Sequence, residues 1–546
     1  MKKNLPVAIT AICMLVSLSH IAKAQFISDS SQTFYVCDTT ASQVWVRAFA
    51  DGSGGSYSFW IDKRDGATGT SIYGQHLDSL GNPLWASQGK FFVQAPSKEI
   101  WLMRAVAWQS GFLLAWVQGP FGGGGDTLFC NYFDQAGSSL WSQPTLAANK
   151  QGSIVYVDYD DLNIFPNDSG ATLTFGLSPS GGNTYFSFNR IDFSGNLRWP
   201  LDTFSYNGNG YYYRSASDNH NGFYVAASTG GLGTDIYLGH FDFQGNLTIP
   251  SPVDVCGSAG GRGNSQWKIV CDADANAYTV WASYTNTDIS IAKIKPDGTL
   301  PWGTAPKSVC NASGTQDIPE AIIDGNLIYV TWSDARPGAA NYFIYAQQLD
   351  TAGNDLWSAD GVEVSNLNSY IPYPKLVKSG SNIFVTYVVN GGYRAQQLRP
   401  DSSIVWQQNG VLVNQNTPPF YQDYQLVSAA DGCVTAIWRE SSDNICATRL
   451  RPSGTLTKIS GLEKTHLQLY PDPANDHFNI QLSKRNQSDV MVSIYNDMGE
   501  LVFQKLRQAD SGGIISIPAE NFSAGFYFVK VEQGQYSLHS KVCVVH

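Results

Sequence analysis

The chain has 546 residues, more than one ordinary hydrophobic core accommodates, so several modules or a repeat architecture are expected. Charged residues make up 14% and aromatics 13%, with 52 Gly, 15 Trp and 28 Tyr, which excludes a coiled coil and a disordered polyelectrolyte and suits short strands joined by tight turns. A formal net charge of −11 argues against a nucleic-acid partner, because phosphate binding needs a basic surface.

The first element in chain order is an address. Lys2 and Lys3 precede an apolar run from Leu5 to Leu18, and Ala22-Lys23-Ala24 has the small-x-small pattern of a signal-peptidase site. The pattern predicts a signal peptide over 1–24, cut between Ala24 and Gln25; the alternative is an N-terminal core helix. Pro6 and the shortness of the run argue against a transmembrane helix, which needs roughly 20 apolar residues. No other segment is long and apolar enough, so no transmembrane anchor is expected, and the chain is expected to be secreted or attached to the outer cell surface. Eight cysteines follow the cleavage site: Cys37, Cys130, Cys256, Cys271, Cys310, Cys433, Cys446 and Cys543. None is spaced C-x-x-C, and their low density fits small buried residues in strands, with at most one or two bridges.

The body repeats one phrase: apolar-Asp-x-x-Gly, then usually Trp. It runs from Leu77-Asp78 to Gly81 and Trp85, from Phe133-Asp134 to Gly137 and Trp141, and from Ile191-Asp192 to Gly195 and Trp199. Phe241-Asp242 to Gly245 lacks the Trp. Asp297-Gly298 leads to Trp302, and Leu349-Asp350 to Gly353 and Trp357. Weaker copies are Asp401-Ser402 with Trp406, and Ser453-Gly454. The step is about fifty residues, the size of a four-stranded propeller blade and of no common helical repeat. In the turn, Asp bonds the backbone two residues on and Gly supplies a positive φ. The Trp is expected to wedge between neighbouring blades.

Within the sixth copy, strands are expected at 320–323, 327–332, 342–349 and 361–364. The eighth copy runs out before a fourth strand, while 33–39 stands ahead of the first copy without a partner. That segment resembles the fourth strands ending in Cys256 and Cys310. It is therefore expected to complete the last blade and close the ring, abolishing exposed edges; an open solenoid is the alternative. The expected fold is all-β: an eight-bladed β-propeller over 25–459, followed by a small immunoglobulin-like β-sandwich over 460–546.

The tail carries short alternating strands after Ser460. Its opening Tyr470-Pro471-Asp472-Pro473-Ala474, the phrase Ile494-Tyr495-Asn496 to Gly499, the Ala524-Gly525-Phe526-Tyr527 turn and a final strand from Lys541 resemble the C-terminal sorting domain of the type IX secretion system of Bacteroidetes-type bacteria. That domain normally has Asn where Asp472 stands. The resemblance covers about the last sixth of the chain. It implies Sec export, transit of the outer membrane, recognition by the type IX machinery, and removal of the domain with release or surface attachment. An ordinary immunoglobulin-like binding domain is the competing reading. Over 44–458 the repeats resemble those of secreted Bacteroidetes propellers, best in Trp332-Ser333-Asp334-Ala335-Arg336 with Ile344 to Asp350, and next in Trp60 to Arg64 with Ile72 to Asp78. That resemblance implies a fold and no agreed activity.

Motifs for chemistry are sparse. G-x-S-x-G, H-E-x-x-H and the phosphate-binding G-x-x-x-x-G-K-[ST] are absent. Asp272-Ala273-Asp274-Ala275-Asn276 is similar to the start of a calcium loop but lacks its Gly and terminal Glu, so a turn is favoured. The repeat phrase is similar to that of quinoprotein dehydrogenases, yet their adjacent cysteine pair is missing; sialidase boxes are missing too. No cofactor or metal is expected. The candidate site residues are Asp62 with Arg64 and Asp334 with Arg336, read either as ion pairs stabilising the second-to-third strand connection or as polar ligand contacts. All such connections project from one propeller face, with the variable loops 118–125, 177–184, 229–234 and 440–444. The functional expectation is a binding or adhesion module for a glycan or protein; the alternative is a secreted polysaccharide hydrolase with carboxylates converging on that face.

Overall fold

The computed structural model describes residues 33–545 except 65–68, 121–125, 150–152, 155–161, 180–184, 200–204, 207–211, 229–231, 258–260, 263–266, 284–286, 337, 339–340, 370–371, 390–391, 416–422, 455–467, 482–489, 498, 509, 511–513 and 534–535. The signal segment, with Ala24 and Gln25, lies outside the described residues. The chain divides into two units, Met1–Ile459 and Ser460–His546. Their regular elements are all β-strands among the described residues. No helix among the described residues is long and apolar enough to cross a membrane.

The first unit is a series of antiparallel meanders in which strands pair in chain order. Sheet 1 is Gln43–Ala50, Ser56–Asp62, Gly69–Leu77 and Lys90–Pro96; sheet 2 is Glu99–Trp108, Gly111–Gly119, Thr127–Asp134 and Thr145–Asn149. Sheet 3 departs from the expected four strands. Its ten-residue second strand, Gly170–Pro179, is long enough for two short partners on one side, Ser153–Ile154 and Asn163–Asn167; Tyr185–Asp192 and Ser205–Tyr206 follow on the other. Sheet 4 is Tyr212–Ser217, Phe223–Ser228, Ile236–Phe241 and Val253–Asp254; sheet 5 is Trp267–Cys271, Ala277–Ala282, Ile289–Ile294 and Lys307–Cys310. Sheet 6 is Gln316–Asp324, Leu327–Asp334, Tyr342–Asp350 and Val362–Ser369; sheet 7 is Lys375–Ser379, Asn382–Val389, Gly392–Leu398 and Val411–Asn414. Sheet 8 takes Tyr424–Ser428, Val434–Arg439 and Ile445–Leu450 from the far end of the unit, and its outer strand is Phe34–Cys37. Phe34 pairs with Ala447 and Tyr35 with Cys446, and after a bulge Cys37 pairs with Ile445.

The second strands explain the aromatic, β-branched composition. Every residue of Ser56–Asp62, Phe223–Ser228, Ala277–Ala282 and Val434–Arg439 is buried, because both faces of the sheet are covered. Alternate side chains serve different cores. Tyr57, Phe59 and Ile61 pack towards Phe112 and Leu114 of sheet 2, whereas Trp60 packs with Ile437 and Ile445 of sheet 8. Trp281 likewise joins a core with sheet 4, and Val280 one with sheet 6. Each such large side chain contributes about 2 kcal/mol by leaving water.

The repeated turn forms as the sequence suggests. Asp78 Oδ1 accepts from the Leu80 and Asn82 amides, both at 2.8 Å, and Gly81 sits at φ +84°. The glycine has a second duty. The indole N–H of Trp141 in sheet 2 donates to Phe193 O in the next turn at 3.1 Å, and a Cβ on Gly195 would meet that indole at 2.8 Å. Trp85, Trp357 and Trp406 donate in the same way to Gln135 O, Pro400 O and Pro452 O of the following sheet. The Gln of the third strand holds this Trp in place: Gln347 Oε1 accepts from the Trp357 amide at 3.2 Å while its Nε2 donates to Ser358 O at 2.9 Å.

In the second unit, Gln468–Tyr470, His477–Gln481 and Ile514–Pro518 form one sheet. Leu501–Arg507, Val490–Tyr495, Gly525–Gln533 and Tyr536–Val544 form another. Both contribute to one core that includes Phe478, Ile480, Val492, Ile494, Ile517 and Val529.

Gly195→Ala combines a left-handed backbone with overpacking against Trp141, and we expect a loss of about 2–4 kcal/mol by urea titration. Gly325→Ala, at φ +56° with nothing within 4 Å of the new methyl, should cost only about 1 kcal/mol.

Candidate functional site

Asp62 and Asp334 end the second strands of sheets 1 and 6, opposite Gln43 and Gln316 at the starts of the first strands. The structure brings each Asp to its own Arg but does not bring the two pairs together. Both carboxylates are fully buried, because the neighbouring sheet covers this strand end. Asp62 accepts from Trp60 Nε1 at 2.9 Å, from the Arg64 amide at 2.8 Å and from the Arg64 guanidinium at 2.6 Å. Asp334 repeats this with Trp332 Nε1 at 2.8 Å, the Arg336 amide at 2.9 Å and the guanidinium at 2.7 Å.

Each guanidinium then reaches a cysteine of the adjacent sheet while also contacting its own sheet. Arg64 donates to Cys37 Sγ at 3.2 Å and Gln88 O at 2.9 Å, and lies 3.9 Å over the Tyr73 ring. Arg336 donates to Cys310 Sγ at 3.2 Å and Asp360 O at 2.8 Å, 3.8 Å over Tyr345. Burial alone would lower the pKa of Arg336, but the bond and charge of Asp334 outweigh it, and the pKa rises above its ordinary value. Burial pushes the Cys310 thiol up to about 12, so it stays protonated. The cysteines and aromatic partners of this cassette were not picked out by the sequence pattern. The available signal was the recurring distance of 27 and 26 residues between Cys and Arg. In sheet 2, Gln118 takes the place of Asp, accepting from Trp116 Nε1 at 3.1 Å.

The same strand end carries strained backbone. Trp45 (φ +62°) and Ile318 (φ +51°) occupy equivalent bulges in the first strands of sheets 1 and 6, and Tyr373 (φ +40°) precedes that of sheet 7. A β-branched residue in the left-handed region costs about 1–2 kcal/mol. Here too a two-stranded ribbon, Leu232–Thr234 with Gly261–Arg262, is added to the repeating pattern. The loops at 121–125 and 180–184 lie outside the described residues.

At the opposite end, a cavity of about 370 Å³ is lined by Gly52, Gly54, Gly380, Ala429, Ala430 and Lys378, from sheets 1, 7 and 8. Lys378 is paired with Asp324. At this end, aspartates of the first-to-second turns meet basic side chains of the third strands: Asp51 with His76 at 3.0 Å, Asp218 with His240 at 2.9 Å, Asp272 with Lys293 at 3.8 Å and Asp431 with Arg449 at 2.8 Å. Burial raises each of these carboxyls, but hydrogen bonds outweigh it and all four pKa values are lowered. Asp272 also accepts from the Asp274 and Asn276 amides, Asn276 Nδ2 and Tyr278 OH, which is the geometry of a turn. No group of three His, Cys, Asp or Glu able to hold a metal occurs among the described residues.

All eight described cysteines are free, and seven are buried. Cys37 and Cys446 lie in paired strands, yet Cys37 packs in the core between sheets 8 and 1, and Cys446 in the core between sheets 7 and 8. They face opposite sides and cannot bridge.

In the second unit, the opening and closing motifs are laced together. Asp472 Oδ1 accepts from the Cys543 amide at 2.8 Å, the Ala474 amide donates to Cys543 O, and the Val545 amide donates to Ala474 O, both at 2.7 Å. Asn supplies the same oxygen as Asp at position 472, which explains why the departure is tolerated. Pro471 and Pro473 flank that contact through cis peptide bonds. Asn496 Oδ1 caps a turn by accepting from the Glu500 amide at 2.9 Å, with Gly499 at φ +80°. Gly525 opens the strand paired with Tyr536–Val544, and Lys541 Nζ lies 3.6 Å over the Phe526 ring.

Residues 468–545 match the family described as secretion system C-terminal sorting domain. Within that match, the Asp472–Ala474 opening is bonded to the final strand. No curated protein matches the chain. Among solved structures, a puromycin hydrolase S511A mutant complexed with PGG is similar at 12% identity and TM-score 0.40, over 77% of this chain and 61% of that one. Prolyl oligopeptidase B from Galerina marginata gives 10% identity and TM-score 0.39, over 73% and 56%. The β-propeller domain of the Trilobed protease from Pyrococcus furiosus gives 8% and 0.36, over 67% and 97%. The chain thus spans 61% and 56% of the length of the first two.

Asp334→Ala strands the Trp332 indole and the Arg336 guanidinium in a buried site, and we expect a loss of about 3–5 kcal/mol in urea. The four turn aspartates have pKa values depressed in the folded state, so their stabilisation is present at neutral pH and lost as pH falls through those values. The urea midpoint should drop steeply below about pH 4, and less so in Asp218→Asn.

Proposed function

We propose that the chain is an exported eight-bladed β-propeller that binds a glycan or protein at or beyond the cell surface, delivered by the type IX secretion system through an immunoglobulin-like sorting sandwich at its C-terminal end. The sorting-domain match supports the delivery: it indicates export to the cell surface or extracellular space and implies contact with the secretion machinery. The blade count is supported by buried cores that join sheet 1 to 2 and onward to 8, with a last core containing Phe34, Val46, Trp60 and Ile437 between sheets 8 and 1.

The binding reading is carried by the ribbon Leu232–Thr234 with Gly261–Arg262. The repeat does not require it, and it stands at the end where the expected variable loops project. Strained residues at the same end, Trp45 and Ile318, fit a site kept against a folding cost. Asp62, Arg64, Asp334 and Arg336 sit beneath that end, their carboxylates committed to Trp and Arg, so on this reading they support loops that do the recognising.

The full chain on glycan and protein arrays tests the proposal: selective binding that is lost on deleting 232–234 supports it. Polysaccharide cleavage by the purified chain, abolished by carboxylate substitutions, would overturn it in favour of a hydrolase. Removing 460–546 should block delivery, with the truncated chain found in the periplasmic fraction.

A further inference from the structure

Phe34–Cys37 is held unlike the other outer strands. In sheets 1 and 2, for example, the outer strand is a covalent hairpin continuation of the strand it pairs with. Phe34–Cys37 meets Ile445–Leu450 only through space, by three paired positions and a bulge. Besides the burial of Phe34, Val36 and Cys37 in the core with Trp60 and Ile437, what secures it comes from the next sheet: the Asp38 amide donates to Gln88 Oε1 at 2.9 Å, and Arg64, braced by buried Asp62, grips Cys37 Sγ. The same clasp recurs on Cys310, where the Asn311 amide donates to Asp360 Oδ1 at 2.8 Å and Arg336 grips the thiol. There the clasped strand is already a hairpin partner of Ile289–Ile294. Identical chemistry therefore secures one tethered strand and one untethered strand.

We propose that Phe34–Cys37 is a releasable strap, which leaves the edge of Ile445–Leu450 while the sheets stay folded, and that the Arg64 clasp sets how often it does so. Release bares a row of backbone donors and acceptors on Ile445–Leu450, the kind of edge that accepts an extended peptide strand. It also uncovers Cys37, otherwise 1% exposed. Local opening of this kind is expected where a short segment is joined to its partner strand by only three paired positions and no hairpin. The inference rests on the closed-ring reading above.

The test is native-state alkylation of the full chain with N-ethylmaleimide, each thiol followed by peptide mass spectrometry. Cys130, fully buried within sheet 2, reports global unfolding. We expect Cys37 to react about tenfold or more faster than Cys130 and Cys310, and Arg64→Gln to speed Cys37 about tenfold further by removing a charged hydrogen bond. Arg336→Gln should change Cys310 less than about threefold, because its strand stays tethered. Cys37 reacting within about threefold of Cys130, in both the unmodified chain and Arg64→Gln, overturns the strap. A separate variant, Tyr35→Cys, faces Cys446 across the pair; mild oxidation should cross-link them and slow Cys37 to the Cys130 rate. Failure to cross-link overturns the closed-ring reading. A cross-link without any slowing overturns only the strap.

Discussion

The first unit depends on sheets that are buried on both faces. A strand such as Ser56–Asp62, buried at every residue, cannot tolerate water on either side. Each sheet therefore needs a neighbour before and after it, and a linear row would leave two faces wet. The core containing Phe34, Val46, Trp60 and Ile437 removes those two faces by setting sheet 8 against sheet 1. The docked indoles add direction to this otherwise non-directional packing. A Trp that donates to a carbonyl of the next turn fixes how far one sheet is displaced along its neighbour.

The polar residues follow the same logic. Buried carboxylates recur at both strand ends: Asp62 and Asp334 are paired with arginines, and Asp218 is bonded to His240 and to the His220 and Gly222 amides, as burial demands. At one end, Trp, Asp, Arg and the cysteine of the preceding sheet make a seam fastening. At the other, turn aspartates meet His76, His240, Lys293 or Arg449. Arg64 and Arg336, expected either as ion-pair partners or as ligand contacts, bond their aspartates and the cysteine of the adjacent sheet. The loops and the ribbon near Leu232 remain as the parts not dictated by the repeat.

Much of the fold was legible because turns announce themselves. Asp78 to Gly81 and its copies mark hairpins by local chemistry alone, so strand groups could be counted without knowing what they touch. The tail motifs were legible for a similar reason, being short and fixed in order. Contacts between sheets were not. Nothing local to Arg64 points to Cys37, because the approach is created by one sheet leaning on another. Sheet 3 misled through length: the extra partner of Gly170–Pro179 is short and sits beside a ten-residue strand that no turn interrupts. The ribbon was missed because three-residue and two-residue strands carry no periodicity.

The pairing of indole and glycine across several seams bears on how such an array diversifies. Gly195 and Gly245 lie against Trp141 and Trp199 of the sheet before, whereas Gly298 faces the smaller Ile249, whose methyl a Cβ would approach at 3.3 Å. The side chain and the space that receives it belong to different repeats, so the heritable module is the junction, not the leaf. A duplication or exchange bounded at the ends of one sheet would separate matched partners, whereas one bounded in mid-sheet would carry both across intact.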